Sequence, residues 1–426
     1  MDPRLETYLT GHRARHLDFL KSLIACDSSA VDMGRGGREG PVQALIAARL
    51  RALGAELDIF EPDDAAMAGH PEHNPGHRYE GRPNVVGRIP GLGGGRSLLI
   101  NAHADVVPAG DEGAWSHPPF SPTEAGGRLY GRGSCDMKAG GAAALMALEA
   151  LAACGVRLRG DVIFESVVDE EGGGNGTLAC CLKGYRADAA IIPEPTELAL
   201  MPAHMGWLFY RVTFTGRSCH CAFPWNGVNA IDHCAAFMAH MKRAEQAWAA
   251  TRRHPYLPPP TVCFTVIRGG GSSSTVPQEC VLDMSLHFHP GETVDGAIGA
   301  KIDAELRRQV DDFIQSDDWL RAHPPTLQRF QQGSGYDIGA DHPIVRCAGD
   351  ILEAVTGVRP PVRGLASGAD ARLLNNYAHT PTLLCGPGSI SNAHAVDEYV
   401  PVQEYLDAIA MFCGVLTAWC GTEGRP

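Results

Sequence analysis

The stretch Ser97-Leu98-Leu99-Ile100-Asn101-Ala102-His103-Ala104-Asp105 carries the fold in miniature. An unbroken apolar run with no polar alternation reads as a strand covered on both faces, and it ends abruptly in polar, metal-competent side chains. The same pattern recurs along the chain. Val162-Ile163-Phe164 precedes Asp169-Glu170-Glu171-Gly172, and Ala189-Ala190-Ile191-Ile192 precedes Glu194. Pro381-Thr382-Leu383-Leu384 runs into Gly386-Pro387-Gly388 and then Asn392-Ala393-His394. Further strands are predicted at Asn84–Gly87 and around Leu57–Phe60. Helical spacing links Leu17, Leu20 and Leu23-Ile24, then Val42, Leu45-Ile46 and Leu50, with Gly54 as a C-cap. An Ala-rich helix spans about Ala139 to Leu151. Buried strands separated by helices predict an α/β domain with a mostly parallel central sheet flanked by helices. Ligand sites in such sheets gather at the carboxyl ends of the strands.

Outward from this core the pattern changes. Between residues 202 and 333 the order is strand Trp207–Phe214, helix Ala230–Arg243, strands Thr261–Ile267 and Glu279–Phe288, helix Asp295–Phe313 and strand Thr326–Phe330. That β-α-β-β-α-β order predicts a ferredoxin-like α+β insert. It would divide the catalytic domain into a first part, 1–201, and a second part, 334–426. The chain has 426 residues, more than one ordinary core would hold. A net charge of -13 argues against a nucleic-acid partner. Met1–Leu20 has no apolar h-region, and no run reaches the roughly 20 apolar residues of a membrane span. Fourteen scattered cysteines read as reduced thiols, so the sequence predicts a cytoplasmic protein without disulfides.

Singly, the polar residues after the strands have ordinary explanations. His103 alone is a loop histidine, Asp136 in Gly131-Arg132-Gly133-Ser134-Cys135-Asp136-Met137-Lys138 a helix cap, and Glu170-Glu171 a solvated turn. Together, two histidines and several carboxylates at strand ends suit a two-metal hydrolytic site.

These motifs resemble the di-zinc family of acetylornithine deacetylase, succinyl-diaminopimelate desuccinylase, aminoacylase-1 and carboxypeptidase G. The matching segments, in the family's order, are His103-Ala104-Asp105-Val106-Val107-Pro108, Gly131 to Lys138, Glu170-Glu171-Gly172 with Asn175-Gly176-Thr177, Glu194-Pro195-Thr196, and Asn392-Ala393-His394. The resemblance implies a zinc-exopeptidase-like catalytic domain with a lid and dimerisation insert. One divalent ion would be held by His103, Asp136 and Glu194, the other by Asp136, Glu171 and His394, with Asp136 bridging. Zinc suits these ligands, and cobalt or manganese can use the same set. Glu170 would be the general base, and Asp105 the carboxylate that orients His103. Substrates would be small N-acyl amino acids or related amides, and the protein a homodimer that binds neither nucleic acid nor membrane.

In the insert, Gly216-Arg217-Ser218-Cys219-His220 and Gly227-Val228-Asn229-Ala230-Ile231 also match. By resemblance, His220 would reach the partner's active site and bind the carbonyl oxygen. Asn229 either supports that region or caps the helix at Ala230. Two departures concern the substrate. Ser274-Thr275-Val276-Pro277 replaces a common Asn-containing lid motif, and Asp283–His289 lacks the Arg that some relatives carry. Arg372, in Ser367-Gly368-Ala369-Asp370-Ala371-Arg372, is then either a substrate-carboxylate anchor or a surface arginine paired with an acid. His287-Phe288-His289 reads as exposed strand residues, and Cys219-His220-Cys221 lacks zinc-finger spacing. The leading reading is a metal-dependent deacylase. A dipeptidase or carboxypeptidase on the same scaffold, and a catalytically inactive binding protein, are the alternatives.

Overall fold

The computed structural model describes residues 2–32 and 34–423. They cluster into two units, one of Met1–Pro202, Ile338–Arg363 and Ala369–Pro426, the other of Ala203–Asp337 with Gly364–Gly368.

The first unit is built on a six-stranded sheet in the order Thr382–Gly386, Ala189–Pro195, Leu98–His103, Val162–Val167, Asn84–Ile89, Glu56–Phe60. The four strands that carry continuous apolar runs are mutually parallel. Leu98–His103, Val162–Val167 and Ala189–Pro195 are buried at every position, because helices cover both faces. Asn84–Ile89 and Glu56–Phe60 complete the sheet through antiparallel pairings. The α/β architecture with a mostly parallel sheet is therefore as the sequence predicts.

The Ala-rich helix spans Lys138–Ala153 and packs against Val402–Cys420. Its small residues let it approach the sheet closely. A Cβ on Gly140 would lie 2.1 Å from the Pro193 carbonyl oxygen, so glycine is required there. This contact sets Asp136, just before the helix, beside Glu194 on the strand.

The second unit has an antiparallel sheet in the order Thr261–Gly269, Glu279–Phe288, Gly206–Thr215, Thr326–Gly333, with helices Ala230–Thr251 and Ala300–Gln315. On Gly206–Thr215 the residues Leu208, Tyr210, Val212 and Phe214 point into the core, and their neighbours are more exposed. The second helix begins at Ala300 rather than Asp295. Asp295, Gly296 and Gly299 take positive φ, which interrupts a helix. The unit also continues past residue 333, because Tyr336–Asp337 pairs with Ala203–His204 and the Leu365 amide donates to the Ala203 carbonyl. Such pairings between distant segments leave no local pattern. His289 is buried, with Nε2 2.7 Å from the Pro258 carbonyl, so the His287–His289 segment is not simply exposed.

All fourteen cysteines are free. Among the described residues no helix is long and apolar enough to cross a membrane.

Phe237 is fully buried, with its ring centroid 5.5 Å from that of Phe214 and 5.4 Å from that of Phe313. Phe237→Ala should cost about 3–5 kcal/mol by the usual penalty for truncating a core aromatic. Chemical denaturation measures it, and a loss below about 1 kcal/mol would contradict this packing.

Candidate active site

Each strand end delivers one part of the site. His103 is the last residue of Leu98–His103, and Glu194 the penultimate residue of Ala189–Pro195. Glu170 and Glu171 follow Val162–Val167, and His394 lies in the loop after Thr382–Gly386. Asp136 comes in just ahead of its helix, and its peptide to Met137 is cis. Asp169 and His394 hold φ of 69° and 63°, which non-glycine residues seldom adopt and which cluster at functional sites.

These loops converge. His103 Nε2 lies 3.0 Å from Asp136 Oδ1, and His394 Nε2 lies 3.4 Å from Asp136 Oδ2 and 3.2 Å from Glu171 Oε1. Asp136 thus turns one oxygen toward each imidazole. Ligand atoms of His103, Asp136 and Glu171 all lie within 4.8 Å of one another.

The charges explain what such a cluster wants. Burial by itself would raise the Asp136 pKa, but hydrogen bonds from His103 and His394 outweigh it and hold the carboxyl below its usual range. The same bonds, to Asp136 and Glu171, push His394 up to about 10. Burial, and then the neighbouring Asp136, pushes Glu194 up to about 8. Glu170 is raised well above the carboxylate range by burial, which the charge of His103 only partly offsets. Buried carboxylates and imidazole nitrogens facing one another are the donor set of a cation site, and a cation would relieve their mutual repulsion. The residues therefore fit a bound divalent metal.

Supporting contacts fix the donors. His103 Nδ1 donates to the Asp105 backbone carbonyl at 2.9 Å, which leaves Nε2 as the ligating nitrogen. The Asp105 carboxylate stands 3.7 Å from Nδ1, within ion-pair range but beyond a hydrogen bond. It also accepts the Glu170 and Glu171 backbone amides, at 3.3 and 3.0 Å. Burial, the dominant effect, pushes it up to about 8. Glu398 is a residue that sequence reasoning missed. It is fully buried, pairs with Arg132 at 2.5 Å, and accepts the backbone amides of Cys135 and Asp136. Arg132 also reaches the His394 carbonyl at 3.4 Å. Only the position of Glu398, four residues past His394, hinted at such a role.

The substrate residues fare differently. Arg372 is neither a surface residue nor free to anchor a ligand, because it is 1% exposed. Nε donates to Glu72 at 3.0 Å, Nη1 to the Ala369 carbonyl and Nη2 to the Gly173 carbonyl. Packing of the distant Glu72 segment decides this, and local sequence does not show it. Asn229 caps its helix, accepting the Ile231 amide at 3.0 Å. His220, in the second unit, is exposed, and its Nδ1 accepts the Ala222 amide at 3.1 Å.

The chain is 29% identical to the N-formyl-4-amino-5-aminomethyl-2-methylpyrimidine deformylase of Bacillus subtilis (strain 168), over 98% of each protein. It is 30% identical to a succinyl-diaminopimelate desuccinylase of Leptothrix cholodnii, over 91% of this chain and 94% of the relative. An M20 family metallo-carboxypeptidase from Sulfolobus solfataricus shares the fold, with a TM-score of 0.72 and 17% identity over 98% of this chain and 99% of that one. Residues 99–418 match the model of peptidase family M20/M25/M40, a span that takes in every strand-end residue described above, so the chain belongs to that family.

Proposed function

We propose that this amide hydrolase removes an acyl group from the nitrogen of an N-acyl amino acid or related small amide, with two divalent ions held at the strand ends. The observation that carries this reading is Asp136, which faces His103 with one carboxylate oxygen and His394 with the other. His103, Asp136 and Glu194 would hold one ion, and Asp136, Glu171 and His394 the other. Zinc is the first choice for these ligands, with cobalt or manganese able to replace it. When bound, the ions supply Lewis-acid polarisation of the acyl oxygen and make the attacking water more acidic.

The chain's own residues do the rest. Glu170 takes the proton from the attacking water and passes it to the departing nitrogen. Its buried, raised carboxyl suits a group that must both accept and return a proton. Asp105 holds the Glu170 backbone in place for that transfer. His220 of a partner subunit would donate to the carbonyl oxygen, which makes the working unit a homodimer. Fourteen free cysteines favour a cytoplasmic setting.

A deacylase is favoured over a peptidase because the relatives at 29% and 30% identity are by name a deformylase and a desuccinylase, while the metallo-carboxypeptidase that shares the fold over nearly the whole chain is only 17% identical. With Arg372 buried against Glu72, no carboxylate need be gripped there, so amides without a carboxylate fall within the reading. Turnover of N-formyl, N-acetyl and N-succinyl amines and amino acids should exceed that of dipeptides. The reverse order would favour the peptidase.

Glu170→Gln should retain metal and lose about 10²–10⁴-fold in kcat, because the amide cannot accept the water proton. Glu171→Gln should instead weaken one metal. Equal metal loss in the two variants would show that the adjacent glutamates are assigned the wrong way round.

Metal loading should depend on pH. His394, at about 10 without metal, is protonated at neutral pH and must lose its proton to ligate, and Glu194, at about 8, is largely protonated there too. Binding therefore releases protons, and affinity rises as pH increases from 6 toward 8. Calorimetry of zinc binding at pH 7 in buffers of different ionisation enthalpy should count about one proton or more per chain. Zinc affinity that is flat with pH would contradict the assigned ligands.

Mixing inactive His220→Ala chains with inactive Glu170→Gln chains should restore activity once subunits exchange, up to about half the wild-type level per dimer, since one site regains both groups. Removing one such donor typically costs about 10²–10³-fold in kcat. No recovery despite proven exchange would leave His220 as an ordinary surface histidine.

A further inference from the structure

The turn that carries Glu170 is gripped from behind by the segment between helix Asp64–Met67 and strand Asn84–Ile89, which has no regular secondary structure of its own. A loop of this length is expected to be polar and exposed, yet Glu72, Tyr79 and Arg82 are buried. The polar atoms of Tyr79 and Arg82, with those of His77, converge on Asp169, the residue before Glu170. The Asp169 carboxylate is fully buried. It accepts from the Tyr79 hydroxyl at 2.7 Å and from His77 Nδ1 at 2.9 Å. Arg82, locked to Glu39 at 2.6 Å, stands 3.8 Å away.

The grip continues beyond the glutamates. Asn175 Nδ2 donates to the Tyr79 hydroxyl at 2.8 Å, and its Oδ1 accepts the Asn74 amide at 3.0 Å. Asn74 Nδ2 donates to the Gly173 carbonyl at 2.9 Å. Within the turn, the Gly173 and Gly174 amides donate to the Glu170 and Asp169 carbonyls, each at 2.8 Å. Glu170 therefore hangs between two buried carboxylates. Asp105 holds its amide, and Asp169 anchors the preceding residue in a left-handed conformation that costs energy unless its surroundings enforce it.

Proton transfer needs the base within a few tenths of an ångström of its working position, and groups behind a catalytic side chain set that precision. We propose that Tyr79 and His77 are positioning residues that act through Asp169 to aim Glu170 at the attacking water. This rests on the reading of Glu170 as the general base.

The test uses metal-loaded full-length enzyme. Tyr79→Phe removes one donor to Asp169 and keeps the ring, and His77→Ala removes the other, while His77→Asn keeps an N–H near the Nδ1 position. Tyr79→Phe and His77→Ala should each lower kcat about 10-fold, within the usual range for outer-shell groups. KM should stay within about twofold, with metal content and Tm as in the wild type, and His77→Asn should recover most of the loss. The deciding measurement adds Tyr79→Phe to Glu170→Gln. If Tyr79 works through the base, the second change costs less than about twofold. A full further loss in that background, a kcat decline that tracks metal or Tm, or wild-type kcat in both Tyr79→Phe and His77→Ala would overturn the proposal. A fully active Glu170→Gln would instead overturn the base assignment on which it rests.

Discussion

The structure depends on keeping Asp136, Glu170, Glu171 and Glu194 together at the end of one sheet. Like charges in a poorly solvated place repel, and burial alone drives their protons on. The raised pKa of Glu170 and the value of about 8 at Glu194 record that cost. Two histidines offset part of it, and Asp136, with an imidazole on each side, stays ionised. A divalent cation offsets the remainder more fully than any protein group could. The electrostatic cost of the empty cluster and its fitness for a divalent cation are thus one property.

Such a cluster persists only if the backbone beneath it is rigid. Four parallel strands, buried on both faces, place His103, the Glu170-Glu171 turn, Glu194 and the His394 loop at the same edge. Gly140 lets a helix come close enough to set Asp136 beside Glu194. Glu398 holds the Asp136 loop through two backbone amides, and its partner Arg132 reaches across to the His394 carbonyl. Truncating either member of such a buried pair leaves an uncompensated charge, typically a loss of about 3–5 kcal/mol.

The two units differ in how plainly their sequences declare them. In Gly206–Thr215 the core-facing residues alternate with more exposed ones, so direction and face can be read directly from the period of two. Leu98–His103 has no alternation, and only its abrupt polar ending marks which end is functional. Both signals were sufficient for element type and order. Boundaries were less legible where positive-φ residues delay a helix, as before Ala300, or where remote segments pair, as Leu365 does with Ala203.

By itself the sequence determined the α/β class, the strand-end placement of His103, Glu170, Glu171, Glu194 and His394, and Asp136 ahead of its helix, because apolar runs and their polar endings are local patterns. Tertiary structure alone decided which polar groups meet. Arg372 reads either as a substrate anchor or as a surface arginine paired with an acid until Glu72, 300 residues earlier, meets its buried guanidinium. Asp105 reads as a partner for His103 alone, and only folding shows that its carboxylate also takes the Glu170 and Glu171 amides. Tyr79 has no distinguishing spacing at all, and Asp169 and Glu398 are marked only by their nearness to Glu170 and His394. A carboxylate's role follows from the donors around it, and those donors come from loops whose distance along the chain carries no information about their distance in space.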